Sequence, residues 1–295
     1  MGKRALLYVN RHAREGQGSL AQAIQELHAL DFELLPVPTP DIEQLSKAIR
    51  QHQDQLDLVV VGGGDGTFNA IADSLIETQL PLGMLPLGTA NDLARTLGIP
   101  TSIPEACQVI ATGHPHPIDM GCVNGKHFFN VASMGLSVQI TQQLSSRVKR
   151  RFGSLAYAIA ALQAIWKTRP FHAEIRVNGE FIPVKTVQIA VGNGRYYGGG
   201  MAIAEDATID DQQLDLYSLE IKHLWQIVPL ILTIQQGQQA LLPWVRDLRN
   251  QEIEIRTAEP LAINTDGEIT THTPAKFHVV PQALSVIVPT VSETS

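Results

Sequence analysis

The sequence is poor in cysteine, has no excess of basic residues and contains no long uninterrupted apolar run. Its only cysteines, Cys107 and Cys122, are too few for a disulfide framework and are typical of a reducing compartment. Lysine and arginine number 22 against 29 aspartates and glutamates, so the net charge is −7. A dedicated nucleic-acid-binding protein would carry a basic excess, and nucleic acid is therefore not an expected partner.

Membrane-spanning and secretion signals are also lacking. The longest apolar stretches, residues 155–166 and 224–234, are well short of the ~20 residues that cross a bilayer. The early apolar run at 4–9 is too short for a signal peptide and has no cleavage site after it, so it predicts a first β-strand. We therefore expect a soluble, cytoplasmic protein that can still visit a membrane surface.

Residues 1–120 alternate short apolar runs with amphipathic segments. Strands that are apolar throughout and separated by helices are typical of a parallel sheet covered on both faces. This half is predicted to be an α/β, Rossmann-like domain. The predicted strands are 4–9, 33–37, 56–61 and 82–85, and the predicted helices are 20–30, 42–52 and 68–76.

Residues 121–295 show a different period and are predicted to form a second, mainly antiparallel β-sandwich domain. Residues 171–177 alternate apolar and polar side chains, and Asn178-Gly179 follows them as a strong hairpin signal. Asn124-Gly125 is a similar signal. Two apolar segments with helical spacing, 152–168 and 222–242, interrupt the strands.

The most informative stretch is a glycine-rich turn, GGGDGT at 62–67, between a buried strand and a helix. Glycines allow backbone amides to approach an anion, and the helix N-terminus favours phosphate. A plain strand–helix turn is the alternative, although one or two glycines would suffice for it. Asp65 among phosphate-facing glycines would be repulsive without a cation, and Mg²⁺ is the simplest one. The pattern is neither G-x-G-x-x-G nor a P-loop, and it favours a phosphotransferase over a dehydrogenase.

A second cluster, Gly88-Thr89-Ala90-Asn91-Asp92, follows the strand predicted at 82–85. Thr89 or Asn91 could simply cap the next helix. Capping alone leaves unexplained why these polar residues gather at the carboxyl edge of the sheet, where ligands bind in such folds.

These two motifs together are similar to those of the diacylglycerol kinase catalytic-domain family, which includes sphingosine and ceramide kinases and bacterial YegS-like lipid kinases. One pentapeptide could match by chance, but further blocks follow in the same order over nearly the whole chain. They lie at residues 119–121, 129–135, 192–201, 207–211 and 266–268.

The resemblance implies a two-domain enzyme with ATP in the cleft between the domains. Asp65, Asp92 and Asp119 would hold the catalytic Mg²⁺ through a carboxylate and water network. Glu268 would accept the proton of the substrate hydroxyl, with Asp266 beside it. A structural Mg²⁺ would be held by Asp211 with Thr208 and Gln213. The nucleotide would be lined by Asn10, Arg14, Thr39, Gly63, Gly64, Asp65, Gly66, Thr67, Asn69, Thr89 and Asn91.

Several residues leave more than one interpretation open. Asp266-Gly267 at a strand end is ordinarily a hairpin turn, and only the resemblance assigns catalysis to Glu268. Ala70 stands where the family commonly has an acid, and Gln212 replaces a glycine after Asp210-Asp211. The basic run at 147–151 fits either a solvated helix start or contact with anionic headgroups.

We therefore predict a lipid kinase that transfers the γ-phosphate of ATP to the hydroxyl of diacylglycerol or a related membrane lipid. It would touch the membrane surface transiently. A kinase of a soluble alcohol, such as NAD or a sugar, is one alternative, and a catalytically silent nucleotide-binding regulator is another. The sequence specifies neither the lipid nor the oligomeric state, and a homodimer is compatible with it.

Overall fold

The computed structural model describes residues 2–10, 16–36, 41–138, 169–204, 206–221 and 238–290, together with residues 223, 226, 229, 230 and 233. The chain divides into two compact units. The first contains Met1–Met120, Gly198–Gly200 and Pro281–Ser295, and the second contains Gly121–Tyr197 and Met201–Val280. Among the described residues, no helix has the length and apolar character needed to cross a membrane.

The first unit is built on a parallel sheet in the order β2-β1-β3-β4, with the end of β18 beside β4. Its central strands are buried along their whole length, because helices cover both faces. The strands are β1 (Arg4–Val9), β2 (Glu33–Pro36), β3 (Leu58–Gly63), β4 (Leu82–Pro86), the first residues of β5 (His114–Val123) and the end of β18 (Ala275–Val288). The helices are α1 (Gly16–Ala29), α2 (Ile42–His52), α3 (Asp65–Thr78), α4 (Asp92–Thr96) and α5 (Ile103–Thr112).

The second unit packs two antiparallel sheets around one apolar core, so the predicted fold class is confirmed for both halves. A six-stranded sheet runs β14-β13-β10-β7-β16-β17, and the other contains β18, β15, β8 and β9. The strands are β6 (Lys126–Phe128), β7 (Val131–Gly135), β8 (Phe171–Val177), β9 (Glu180–Thr186), β10 (Gln188–Gly192), β11 (Tyr196–Tyr197), β12 (Met201–Ala202), β13 (Leu214–Leu219), β14 (Val245–Asn250), β15 (Glu252–Thr257), β16 (Ala262–Thr265) and β17 (Glu268–His272).

Tight hairpins join neighbouring strands where the sequence predicted them. Asn178 and Gly179 have φ values of 53° and 84°, which is the left-handed backbone of a two-residue hairpin turn. Asn124-Gly125 adopts the same conformation between β5 and β6. Asp266-Gly267, with φ values of 48° and 101°, joins β16 to β17. The hairpin interpretation of Asp266-Gly267 is therefore correct as a description of the backbone.

Some predicted elements cannot be compared. The apolar segment at 152–168 and the basic run at 147–151 lie outside the described residues. The segment at 222–242 is described only in part, and a short 3₁₀ helix at Gln239–Leu241 is found there.

Candidate active site

The glycine-rich turn lies between the end of β3 and the start of α3, as predicted. Gly64 is the residue before the helix, and its carbonyl accepts the Thr67 and Phe68 N–H groups at 2.8 and 3.2 Å. Asn10, after β1, donates from Nδ2 to Thr67 Oγ1 at 3.1 Å. Two of the predicted nucleotide-binding residues, Asn10 and Thr67, are thus brought together at the first turn of α3.

Close packing explains most of the glycines in this turn, against a neighbouring backbone in one case and against side chains in the others. A Cβ placed on Gly64 would lie 3.0 Å from the Gly88 Cα, and one on Gly88 would lie 2.5 Å from the Gly64 Cα. A Cβ on Gly63 would meet the Thr67 side chain at 2.6 Å. Gly66 differs, because a Cβ there would meet nothing within 4 Å. Packing within the part of the chain that the structure describes therefore does not account for Gly66.

Asp65 links the two predicted motifs. Its Oδ1 accepts the Leu93 N–H at 2.9 Å, so the carboxylate lies at the start of α4 as well as in the first turn of α3. The amide contact fixes one oxygen of this carboxylate and places it near Asp92, the first residue of α4.

Asp92 is a buried carboxylate that the protein only half satisfies. Its side chain is 4% exposed, and Oδ2 accepts the Gly199 N–H at 2.9 Å. Oδ1 is buried and has no hydrogen-bond partner among the described residues. Burial raises the pKa of Asp92, and the nearby Asp65 raises it further, while the Gly199 hydrogen bond and Arg95 oppose the shift.

This arrangement fits a divalent cation. A buried oxygen without a partner is costly, and two neighbouring carboxylates repel each other. Mg²⁺ prefers carboxylate oxygens and water, and it would relieve both penalties. Asp65 and Asp92 are therefore the residues that could hold the metal.

Asp119 is placed differently from the other two expected metal residues. It is buried on β5, and its Oδ1 accepts the Gln282 N–H of β18 at 2.7 Å. Within the described ranges, no group of three or more histidine, cysteine, aspartate or glutamate side chains converges on one point. The structure thus brings Asp65 and Asp92 together, and a contribution from Asp119 through water stays a prediction.

Asn91 has a structural task that the sequence did not reveal. It adopts a left-handed φ of 52°, and its Oδ1 accepts the Gly88 N–H at 2.9 Å while Nδ2 donates to the Gly88 carbonyl at 3.1 Å. Its side chain does not cap α4, although it stands at the N-cap position. Thr89 is exposed and Asn69 part-buried, whereas Arg14 and Thr39 lie outside the described residues.

In the second unit, Asp266 holds the loop at residues 129–131 through hydrogen bonds. Its Oδ2 accepts the Phe129 N–H at 2.7 Å, and its Oδ1 accepts the N–H groups of Asn130 and Val131 at 3.0 and 3.1 Å. The carboxylate is thus occupied by three consecutive backbone donors. These contacts let Asp266 hold the loop at 129–131, and the catalytic role expected for it beside Glu268 stays a prediction.

Three motifs from distant parts of the chain meet at this loop. Asn193 donates from Nδ2 to the Phe129 carbonyl at 3.0 Å, and its N–H binds the Asn130 carbonyl at 2.9 Å. Asp266 holds the same loop from the turn after β16, and Glu268 is the exposed first residue of β17. The segments at 129–131, 192–194 and 266–268, each singled out from the sequence, therefore form one cluster.

The segment predicted to hold a structural metal forms a local turn. Asp211 Oδ1 accepts the Gln213 N–H at 2.9 Å, and Gln212 between them has a φ of 58°. That left-handed backbone favours glycine, so the departure at Gln212 falls at a position where a side chain is strained. Metal binding by Thr208, Asp211 and Gln213 stays a prediction.

Two residues that hold the side chains or turns of the candidate site were not predicted from the sequence. Gly199, whose amide holds Asp92, stood in a glycine run with φ values of 60°, 91° and 108° at 198–200, and only the glycine content signalled a special backbone. Asn264, whose Oδ1 accepts the Gly267 N–H at 2.8 Å, gave no signal beyond its place before Asp266.

Comparison with known proteins links both halves to kinases. Residues 4–123 match the family described as "Diacylglycerol kinase catalytic domain". Residues 130–288 match the "YegS C-terminal NAD kinase beta sandwich-like domain".

Individual relatives agree. The "Probable lipid kinase YegS-like" of Pseudomonas savastanoi pv. phaseolicola is 34% identical over 241 residues, which are 78% of this chain and 75% of that protein. The "Diacylglycerol kinase" of Bacillus subtilis is 27% identical over 274 residues, 92% of this chain and 90% of that protein. A crystal structure of a diacylglycerol kinase from Bacillus anthracis is similar with a TM-score of 0.80 at 26% identity, covering 97% of both chains.

Proposed function

Because the chain belongs to the YegS-like lipid kinases, whose catalytic domain is that of diacylglycerol kinases, we propose that it transfers the γ-phosphate of ATP to a free hydroxyl of diacylglycerol or a related membrane lipid, with Mg²⁺. Membership of this family makes the protein a phosphotransferase. The observation that carries the finer proposal is the buried Oδ1 of Asp92 beside Asp65, which has no hydrogen-bond partner in the described ranges.

The first unit would bind the nucleotide. Gly66, at the N-terminal turn of α3, leaves open space, and the first amides of a helix attract phosphate. Asn10 and Thr67 contact each other at the same turn. Asp65 and Asp92 would hold Mg²⁺, which when bound neutralises charge on the phosphate oxygens.

Glu268 would act on the hydroxyl of the acceptor lipid. In the proposed reaction the lipid hydroxyl oxygen attacks the γ-phosphorus, the bond from that phosphorus to the β–γ bridging oxygen breaks, and ADP leaves. Glu268 takes the hydroxyl proton late in the transfer. Asp266 keeps the hairpin that carries Glu268 in one conformation by holding residues 129–131.

A lipid substrate also implies a place of action. We propose that the enzyme is cytoplasmic and contacts the inner face of the membrane transiently to reach its substrate. A homodimer is compatible with this scheme, which does not depend on one.

The proposal is tested by following labelled phosphate. The protein is incubated with γ-labelled ATP and a total lipid extract, with Mg²⁺ or with a chelator, and labelled lipids are identified by mass spectrometry. We expect one labelled glycerolipid class, and only with Mg²⁺.

A parallel incubation with NAD or sugars in buffer examines the soluble-alcohol alternative. Label in NAD or a sugar and none in lipid would contradict the proposal. ATP binding with no transfer to any acceptor would instead favour a silent regulator.

A further inference from the structure

Asn91 holds the turn that follows β4. The residue is buried, and its Oδ1 accepts the Gly88 N–H at 2.9 Å. Because an N–H can only donate, this contact identifies the oxygen of the amide. The amino group then donates to the carbonyls of Gly88 and Pro86, at 3.1 and 3.4 Å. Both hydrogens of Nδ2 are therefore used by the backbone of this turn.

The turn that Asn91 holds packs against the glycine-rich turn after β3. A Cβ on Gly88 would lie 2.5 Å from the Gly64 Cα and 2.6 Å from the Asn91 Oδ1. A side chain at position 88 therefore has no room between these two neighbours. Gly64 directly precedes Asp65, the first residue of α3. Asn91 thus acts on the start of α3 through Gly88.

A second path returns from Asp65 to Asn91. The Asp65 Oδ1 accepts the N–H of Leu93, two residues after Asn91, at 2.9 Å. Asn91 has a left-handed φ of 52° and stands at the N-cap position of α4, which begins at Asp92. Its carbonyl accepts the Arg95 N–H at 2.9 Å, which joins Asn91 to that helix. The contacts and the chain thus form a closed ring through Asp65, Leu93, Asp92, Asn91, Gly88 and Gly64.

This ring fixes the placement of both carboxylates of the candidate metal site. Asp65 belongs to it through its side chain, and Asp92 belongs to it through its backbone. Mg²⁺ requires nearly ideal octahedral geometry, with oxygens at about 2.0–2.1 Å. Its affinity is therefore sensitive to the groups that orient its ligands. The hydrogen bonds of Asn91 are such groups, because the ring opens without them.

We propose that Asn91 is a positioning residue for the metal site. By holding Gly88 through both ends of its amide, it sets the separation at which Asp65 and Asp92 present their oxygens to one Mg²⁺. This inference rests on the proposed function and deepens it, because it names the residue that places the two metal-binding acids. Asn91 then determines the affinity for the metal without contacting the metal or the nucleotide.

The competing explanation is a direct contact between Asn91 and the nucleotide, which the family resemblance implies. Both amide hydrogens are already bound within the turn, which argues against that contact. The two explanations differ in one measurable respect. A nucleotide-binding residue would affect ATP binding with or without metal, whereas a positioning residue would affect only the binding that the metal mediates.

The experiment uses Asn91→Gly, which tolerates the left-handed backbone and removes all three side-chain contacts. We expect the Mg²⁺ concentration for half-maximal phosphate transfer to rise about tenfold, the effect of losing a group that orients metal ligands. Saturating Mg²⁺ should restore kcat, and ATP affinity measured with a chelator should not change. Mn²⁺ binding in the presence of a non-hydrolysable ATP analogue, followed by electron paramagnetic resonance, should weaken by the same factor.

Gln79→Gly is the matched control in the same unit. Gln79 also has a left-handed φ, of 56°, and its Nε2 donates to the Ile76 and Ala283 carbonyls at 2.7 and 3.1 Å. It follows the last residue of α3, at the end away from Asp65, so its replacement should leave the Mg²⁺ requirement unchanged. Asn91→Ser is a second variant, because its single hydroxyl cannot replace both ends of the amide. It should also raise the Mg²⁺ requirement, and it takes the place of Asn91→Gly should that protein fail to fold.

A folded Asn91 variant with an unchanged Mg²⁺ requirement and unchanged Mn²⁺ affinity overturns the inference, even if its Tm is lower. So does a loss of ATP affinity in the presence of chelator, which is the result expected from a direct nucleotide contact. If the unmodified enzyme transfers no phosphate to lipid, or needs no metal to do so, the proposed function itself fails, and the inference fails with it.

Discussion

Asp92 in the first unit and Asp266 in the second are both functional candidates, but their surroundings differ in one respect. Asp92 has one oxygen held by Gly199 and one buried oxygen without a partner in the described structure. Asp266 has both oxygens occupied by three backbone N–H groups. A carboxylate with a free buried oxygen is suited to a cation, whereas a fully occupied one is suited to holding its own backbone.

Under the proposed function, the first region would bind the ligands and the second would position the acceptor side. In the first unit the acids remain available, and the surrounding glycines bring two turns into contact. In the second unit the carboxylate of Asp266 is occupied in holding residues 129–131, which leaves Glu268 as the exposed carboxylate of the hairpin. Five substitutions test this division, beginning with those expected to reduce turnover most.

Glu268→Gln should reduce turnover by roughly 10²–10⁴-fold, because the amide cannot accept the hydroxyl proton. ATP affinity should not change, since the nucleotide is assigned to the first unit. Phosphate transfer to lipid and ATP titration measure the two quantities. Glu252→Gln, at an exposed strand start of the same unit, is the control. Normal turnover in Glu268→Gln would leave the second unit without its proposed base.

Asp92→Asn should lower Mg²⁺-dependent turnover by about 10²-fold or more, the size of effect seen when one preorganised electrostatic group is removed. Asp65→Asn should act in the same direction. Activity that persists with an unchanged Mg²⁺ requirement would contradict the assignment of the first unit to metal binding. Asp54→Asn, an exposed aspartate of the same unit, is the control.

The same Asp92→Asn variant should be more stable than the parent protein at neutral pH in the absence of ligand. Burial raises the pKa of Asp92, so the folded state binds a proton more tightly than the unfolded state does. The contribution of Asp92 to stability thus falls as pH rises from the ordinary carboxyl value through the raised one. Asparagine removes this loss, and we expect a Tm higher by roughly 2–4 °C at pH 7. A lower Tm would mean that the carboxylate is satisfied within the chain.

Asp266→Asn should reduce the free energy of unfolding by about 2–3 kcal/mol, because charge-assisted bonds to three N–H groups are weakened and an amino group faces a donor. Thermal or urea unfolding measures this loss. Turnover should fall less than in Glu268→Gln. Asp206→Asn, an exposed partner of Arg249, should be nearly neutral by comparison. A stable but inactive Asp266→Asn enzyme would instead favour a direct chemical role.

Gly66→Val should raise the KM for ATP by about tenfold while leaving Tm unchanged, since the added side chain would occupy open space at the helix N-terminus. Gly18→Val is the matched control, because a Cβ on Gly18 also meets nothing within 4 Å, in α1. An unaltered ATP affinity would show that phosphate lies elsewhere. Gly64→Val is a poorer probe, since its Cβ would press against the Gly88 backbone and disturb the fold.

Regular elements were predictable where one local signal dominated. The strand at 4–9 and the helix at 42–52 are confirmed at both ends, and the Asn-Gly turns are confirmed as hairpins. Helix α5 was not assigned, although its buried residues Ile103, Ala106, Cys107 and Ile110 follow the helical spacing.

Side-chain tasks were less predictable, because they depend on partners distant in sequence. The motif made Asn91 a candidate ligand residue, but its side chain turns back to Gly88. The carboxylate of Asp266 is occupied by amides more than a hundred residues away, at a separation of 137 for Phe129. Such contacts form only after the strands have paired, so no local sequence pattern predicts them.

The end of β18 has a consequence for how the protein is made. Val286 pairs with Leu82, so the residues after Pro281 complete the sheet edge of the first unit. On the ribosome, β4 emerges long before the end of β18. The edge of β4 therefore stays unpaired while the whole second unit is translated. A shortened gene encoding residues 1–120 would therefore yield an aggregation-prone fragment, and linking residues 281–290 to it would be the remedy to try first.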